Sequence, residues 1–272
     1  MKLNQLLLSV LYTICLISCL TASAFEDNHI ADDDSVKTRE YDFSIEYGTT
    51  RLYRGIKSSS HSYMKPSFMY YSKGGFYTGL AGYVSLYLKA ALEETDLNAG
   101  YDFSISENTL CTIELTHYII KNTDLANASI KNNVEVAFRH TFGKTYKIKL
   151  YFDNDFGNGQ SDFSFTFENS LVYAAENVFK EDSRMLIKPS FSFTAATLNL
   201  VRRNQQEAFS RSRFAVTNYD LSLLIEYETG RFIIAQEATY DIPPARKRAR
   251  LAKPADTTPV FYFTASVTYV ID

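Results

Sequence analysis

The chain has no tryptophan, six prolines, eleven glycines, four histidines and three cysteines among its 272 residues. Three cysteines cannot build a disulfide framework, and Cys15 and Cys19 fall inside an N-terminal apolar stretch, leaving Cys111 alone. Past that stretch no run of about 18 apolar residues occurs, which excludes a bundle of membrane-spanning helices. Charge of one sign is also lacking: 28 basic against 31 acidic residues leave −3, so nothing in the balance favours nucleic acid as a partner. What the chain has in quantity is aromatic and apolar residues. Twenty Phe and twenty Tyr within a 46% hydrophobic composition exclude intrinsic disorder, and the length removes any need for disulfide staples.

The first 24 residues have the layout of an export signal. Met1-Lys2 supplies a positive start, Leu6 to Leu20 an apolar run, and Ala22-Ser23-Ala24 a small-x-small cleavage site. Cleavage there leaves an acidic leader over 25–38 and a body over 39–272. Two other readings stay open: an uncleaved N-terminal anchor, and lipidation of Cys19 within the lipobox-like Leu16-Ile17-Ser18-Cys19.

From Tyr41 onward the period is two. Tyr41, Phe43, Ile45 and Tyr47 alternate with Asp42, Ser44 and Glu46, and Leu97 to Ile105 alternate with Asn98, Gly100, Asp102 and Ser104. The pattern recurs around 113–116, 134–139, 147–152, 163–168, 219–227 and 261–269, with weaker stretches at 63–71, 76–87, 185–197 and 231–240. That makes about twelve strands, each with one apolar and one polar face. Helical signal is thin, confined to Ala174–Glu181 and Leu198–Phe209.

Connection lengths alternate too. Tight joins at 72–75, 106–108, 143–145 and 228–230 separate longer polar segments at 51–62, 121–133, 154–162, 198–213 and 241–259. A soluble sandwich or barrel accounts for the alternation, but not for this sorting. A closed antiparallel transmembrane β-barrel of about twelve strands accounts for both, with short periplasmic turns and longer extracellular loops. Tyr41, Tyr47, Tyr101, Tyr227 and Tyr240 then suit interfacial girdles.

Tyr53-Arg54-Gly55-Ile56-Lys57-Ser58-Ser59, Pro66-Ser67-Phe68-Met69-Tyr70-Tyr71, Gly75-Phe76-Tyr77-Thr78-Gly79-Leu80 and Glu94-Thr95-Asp96-Leu97-Asn98-Ala99-Gly100-Tyr101 resemble the opening motifs of the TorF-like porins, over about a fifth of the chain. The resemblance implies a bacterial outer-membrane barrel with a channel-like role, and it brings no catalytic residues.

With apolar faces toward lipid, the polar faces line a lumen. Candidate lining carboxylates are Asp42, Glu46, Asp96, Asp102, Glu114, Glu135, Glu168, Asp220, Glu226 and Glu237; candidate cations are Arg139, Lys147, Lys149 and Lys188. The excess of acid predicts a cation-preferring passage for small hydrophilic solutes. The competing expectation is that these charges pair across strands and plug the barrel, with a local cluster of Glu135, Arg139, Lys147 and Lys149. The segments 121–133, 198–213 and 241–259 are expected to narrow the mouth.

An outer-membrane lipase is the rival enzyme class, but the only histidines are His29, His61, His117 and His140. Symmetric closure of the hairpin sets His117 opposite Val134 and His140 opposite Cys111, too far apart to share a proton. Asp153, Asp155 and Asn158, with Gly157 and Gly159, depart from the Ca²⁺-loop spacing and read as a solvated turn. No cofactor and no metal are implied. Arg246, Lys247, Arg248 and Arg250, with Arg202, Arg203, Arg211 and Arg213 before them, make two basic loops suited to anionic lipopolysaccharide. A non-conducting barrel with a structural, adhesive or receptor role through its loops is the alternative from another class.

Overall fold

The computed structural model describes residues 40–54, 56–59, 61–87, 91–125, 127–157, 159–197, 200, 214–244 and 259–271. The signal segment with Cys19, the acidic leader, the basic residues 202–213 and 246–250, and the expected helix 198–209 (Leu200 apart) lie outside them.

Among the described residues fifteen strands form: β1 (Tyr41–Gly48), β2 (Arg51–Tyr53), β3 (Ile56–Ser59), β4 (Tyr63–Tyr71), β5 (Phe76–Ser85), β6 (Ala91–Ser106), β7 (Thr109–Ile120) and β8 (Asn132–Phe142), followed by β9 (Tyr146–Gly157), β10 (Gln160–Leu171), β11 (Tyr173–Glu176), β12 (Ser183–Ala196), β13 (Ala215–Thr229), β14 (Phe232–Ile242) and β15 (Val260–Ile271). The wall strands pair antiparallel in chain order, β1 with β4 past the β2–β3 pair, and the last strand returns to the first, β15 to β1, from Tyr41↔Ile271 to Gly48↔Thr264. β10 and β11 are one strand interrupted at Val172, since both pair with β12 in a single register, Ser170↔Ser190 and then Tyr173↔Ile187. The result is a closed barrel of twelve strands. β2 and β3 form a separate hairpin.

Closure turns alternation into inside and outside. Ile45, Leu115 and Phe261 are 52%, 50% and 66% exposed, whereas Glu94, Asp155 and Asp241 are 1%, 2% and 2% exposed. This reverses the order of a water-soluble protein, where so wide an apolar surface is not left bare. Aromatic rings gather at both rims. Tyr41 packs tilted against Tyr70 and Phe232 against Tyr269 at the end bearing the short turns, while Phe163 meets Phe214 at the other end. Of the expected girdle, Tyr41, Tyr101 and Tyr227 lie toward the short-turn end and Tyr47 and Tyr240 toward the loop end.

Short turns fall at 72–75, 107–108, 143–145 and 230–231. Gly143 and Gly230 take φ of 61° and 57°, a backbone region where a side chain is strained. Three expectations need correction. Ala174–Glu181 is not helical: Tyr173–Glu176 is strand, and the turn beyond it places Asn177, Phe179 and Asp182 at positive φ. The stretch 154–162 is no long loop, because β9 runs on to Gly157 and β10 starts at Gln160. Finally, β7 and β8 pair two residues out of symmetric closure, setting His117 opposite Asn132 and His140 opposite Thr109.

Ile113 is 48% exposed near the middle of β7, on the apolar side. Ile113→Arg is expected to lower barrel stability by about 2–4 kcal/mol in phospholipid vesicles, the cost of a midplane cation on the lipid face. Urea unfolding checks this; an unchanged midpoint contradicts the assignment.

Candidate functional site

The interior wall is built by strand parity. Asp42, Glu46, Asp96, Asp102, Glu114, Glu135, Arg139, Lys147, Lys149, Glu168, Lys188, Asp220, Glu226 and Glu237 all stand on the register of the buried polar residues, opposite in parity to the exposed apolar ones. They do not form one cluster. Toward the short-turn end, Lys149 stands opposite Arg139 on one side and Glu168 on the other, and Lys188 Nζ is 3.5 Å from Glu168. Glu135 does not join that group. It faces Glu114 and Asp153, making a row of three carboxylates across β7, β8 and β9. One pair further on, Asn133 donates to Asp155 at 2.7 Å. Elsewhere in the wall, Asp220 stands opposite Asp241. Like charges set side by side oppose folding.

Wall glycines make room for interior tyrosines. Tyr77 lies across Gly100, where an added Cβ would come within 2.3 Å of the ring, and its hydroxyl donates to Glu114 at 2.8 Å. Tyr63 lies across Gly48 in the same way and donates to Glu46 at 2.8 Å.

The segment 51–62, expected as one of the longer extracellular loops, brings Arg51, Tyr53 and Arg54 into the barrel. Arg51 Nη2 sits 2.5 Å from Glu94 Oε1, with its guanidinium 3.9 Å over the Tyr83 ring. Arg54 Nη2 sits 2.6 Å from Asp155, to which Tyr53 also donates. Burial first, and then Asp155 working against the opposing Arg54 charge, lifts the Tyr53 phenol well above its ordinary range, so it remains a donor. Asn127, from the join 121–131, reaches Glu94 Oε2 at 3.3 Å. Glu94 thus ties two inward-folded segments to β6.

Two cavities flank this hairpin, and Leu52 and Tyr53 line both. One, of about 490 Å³, has Arg51, Lys65, Glu94, Asp96 and Glu114 in its wall and is close to balanced in charge. The other, of about 380 Å³, has Glu114, Glu135, Asp153, Asp155, Asp220 and Asp241 against the single guanidinium of Arg54.

Parity alone could have found Glu94, Asp153 and Asp155. Glu94 stands two residues before Asp96, and Asp153 and Asp155 continue the series Lys147, Lys149, Tyr151. The solvated turn expected for Asp153 and Asp155 is therefore wall, and Asp155 is buried and paired. No periodicity marks Arg51 and Arg54. His117 and His140 bond neutral partners on the facing strand, Asn132 at 2.8 Å and Thr109 at 2.7 Å. Thr109 lies eight residues from His117, which separates the imidazoles by roughly 27 Å along the wall. Among the described residues no group of three or more His, Cys, Asp or Glu is arranged to hold a metal.

By sequence, no family model and no curated protein matches the chain. Among solved structures it is similar to the KdgM porin, with a TM-score of 0.50 at 7% identity over 85% of this chain and 99% of that one. It is similar also to the NanC porin (0.49, 8%, 84% and 98%) and to an outer-membrane channel from Pseudomonas putida F1 (0.48, 10%, 90% and 100%). At these identities the likeness is one of fold, that of a porin-like outer-membrane β-barrel.

Gly100→Val is expected to displace the Tyr77 ring, break its bond to Glu114 and cost about 1–3 kcal/mol by overpacking. Combined with Tyr77→Ala it should cost less than the sum of the two, measured by urea unfolding as a double-mutant cycle.

Proposed function

We propose that this chain is a TorF-like outer-membrane channel that passes small hydrophilic solutes by diffusion and prefers cations. The observation that carries the reading is the second cavity, where carboxylates from β7, β8, β9, β13 and β14 surround one guanidinium. A narrow passage with acidic walls, itself set in low-dielectric lipid, focuses negative potential and raises the local concentration of cations. Passage needs no covalent step and no cofactor, only exchange of hydration water for hydroxyls and carboxylates. The TorF-like label draws on the motifs at 53–59, 66–71, 75–80 and 94–101, two of which supply the lumen residues Arg54 and Glu94. Export through a signal cleaved after Ala24, or alternatively lipidation at Cys19, would deliver the chain to the outer membrane. The basic loops carrying Arg202 to Arg213 and Arg246 to Arg250 are proposed to hold anionic lipopolysaccharide at the outer rim.

A second reading, a non-conducting barrel with a structural, adhesive or receptor role, is favoured by one observation: the inward hairpin occupies part of the lumen. Planar-bilayer recording separates the two. Under a KCl gradient the reversal potential is expected on the cation side, and Asp153→Asn with Asp220→Asn should move it toward zero. Anion preference contradicts the acidic-lumen reading, and absence of conductance favours the second. Replacing Arg246, Lys247, Arg248 and Arg250 by serine should weaken binding to lipopolysaccharide aggregates in a sedimentation assay; unchanged binding contradicts the rim assignment.

A further inference from the structure

A strand pair inside a barrel that does not join the wall ladder is held there mainly by its side chains. β2 and β3 pair with each other and with no wall strand. Thr49 N–H to the Phe263 carbonyl, 3.0 Å, is the wall bond just before them, and Leu86 N–H to the Ser62 carbonyl, 3.0 Å, the one just after. Among the described residues, the charged grips between these points are Arg51 on Glu94 of β6 and Arg54 on Asp155 of β9.

Those grips are finely balanced. Both ion pairs are buried, with Arg51 and Arg54 side chains 10% and 8% exposed, and the attraction within a buried pair is largely offset by the loss of hydration. Each guanidinium also leaves Nη1 buried without a hydrogen-bond partner in the protein, and an unmade bond at a buried donor counts against the inward position. Arg54 further holds φ at 50°, a conformation that costs a residue with a Cβ. The hairpin also stands where the two cavities meet, since Leu52 and Tyr53 form part of both walls.

We propose that the hairpin beginning at Arg51 is a hinged gate inside the lumen, latched by the Arg51–Glu94 and Arg54–Asp155 pairs, and that its release joins the two cavities into one wider passage. This rests on the channel reading and adds regulation to it. Arg51 and Arg54 are then positioning residues, acting on flux through the place of the hairpin.

Single-channel recording of the full-length barrel in planar bilayers tests the gate, with heat-modifiable migration on a detergent gel confirming that each variant is folded. The unaltered protein should switch between two conductance levels. Arg51→Gln and Glu94→Gln should each raise the ratio of time in the higher level about fivefold, the factor that accompanies about 1 kcal/mol. The charge swap Arg51→Glu with Glu94→Arg should bring the ratio back toward the starting value, which a loss of bulk alone would not do. Arg54→Gln carries the same test at the second grip. One level throughout, unchanged in every variant, overturns the gate while leaving the channel intact. Silence in the unaltered protein and in all released variants overturns the channel reading and the gate with it.

Discussion

In hydrocarbon a peptide group without a hydrogen-bond partner costs several kcal/mol, and a strand at a sheet edge carries a row of them. A β-structure in a membrane therefore has to close on itself. Here closure is made by β1 against β15, residue for residue from Tyr41↔Ile271 to Gly48↔Thr264, and by the β10–β11 continuation against β12. Once the ring is shut, every strand has one face to lipid and one to the interior. Each side chain's environment follows from whether its number is odd or even within the strand. The same constraint explains why the apolar residues need no core: the acyl chains do that work, and the interior is free to be polar.

A polar interior does not have to be empty. Twelve strands enclose a space into which the wall sends tyrosines over Gly48 and Gly100, and the segments 49–62 and 121–131 send Arg51, Arg54 and Asn127. Glu94 receives contacts from both segments, so the inward-folded parts meet at one carboxylate on β6. Carboxylates set opposite one another, Glu114 with Glu135 and Asp220 with Asp241, work against folding. In the channel reading proposed above, their negative potential would serve a passage for positively charged or polar solutes.

The wall was legible because its code is periodic. Tyr41 to Tyr47 and Leu97 to Ile105 state their faces directly, and 63–71 was found to the residue even though Pro66 interrupts its pattern. Strand ends were less legible. Parity persists toward the β9–β10 turn, so Asp153 and Asp155 looked like a loop when they are wall, and the stretch from Ala174 looked helical because Ala and Glu favour a helix while cross-strand pairing with β12 decides otherwise. The β7–β8 register could not be read from symmetric closure, since the hairpin pairs two residues away from it. Least legible was the inward hairpin. Whether a polar loop projects into water or folds back into a lumen depends on partners far away in sequence, and Arg54 meets Asp155 a hundred residues on.

The absence of tryptophan offers a direct probe of orientation. Tryptophan introduced singly at Thr112, Ile113, Glu114, Leu115 and Thr116, in a barrel reconstituted into vesicles of acyl-brominated lipid, reports which side chains touch the hydrocarbon. Strong quenching at 113 and 115 with little at 112, 114 and 116 is the predicted result. Quenching at the even positions instead, or none that alternates, would show that the apolar faces do not meet lipid.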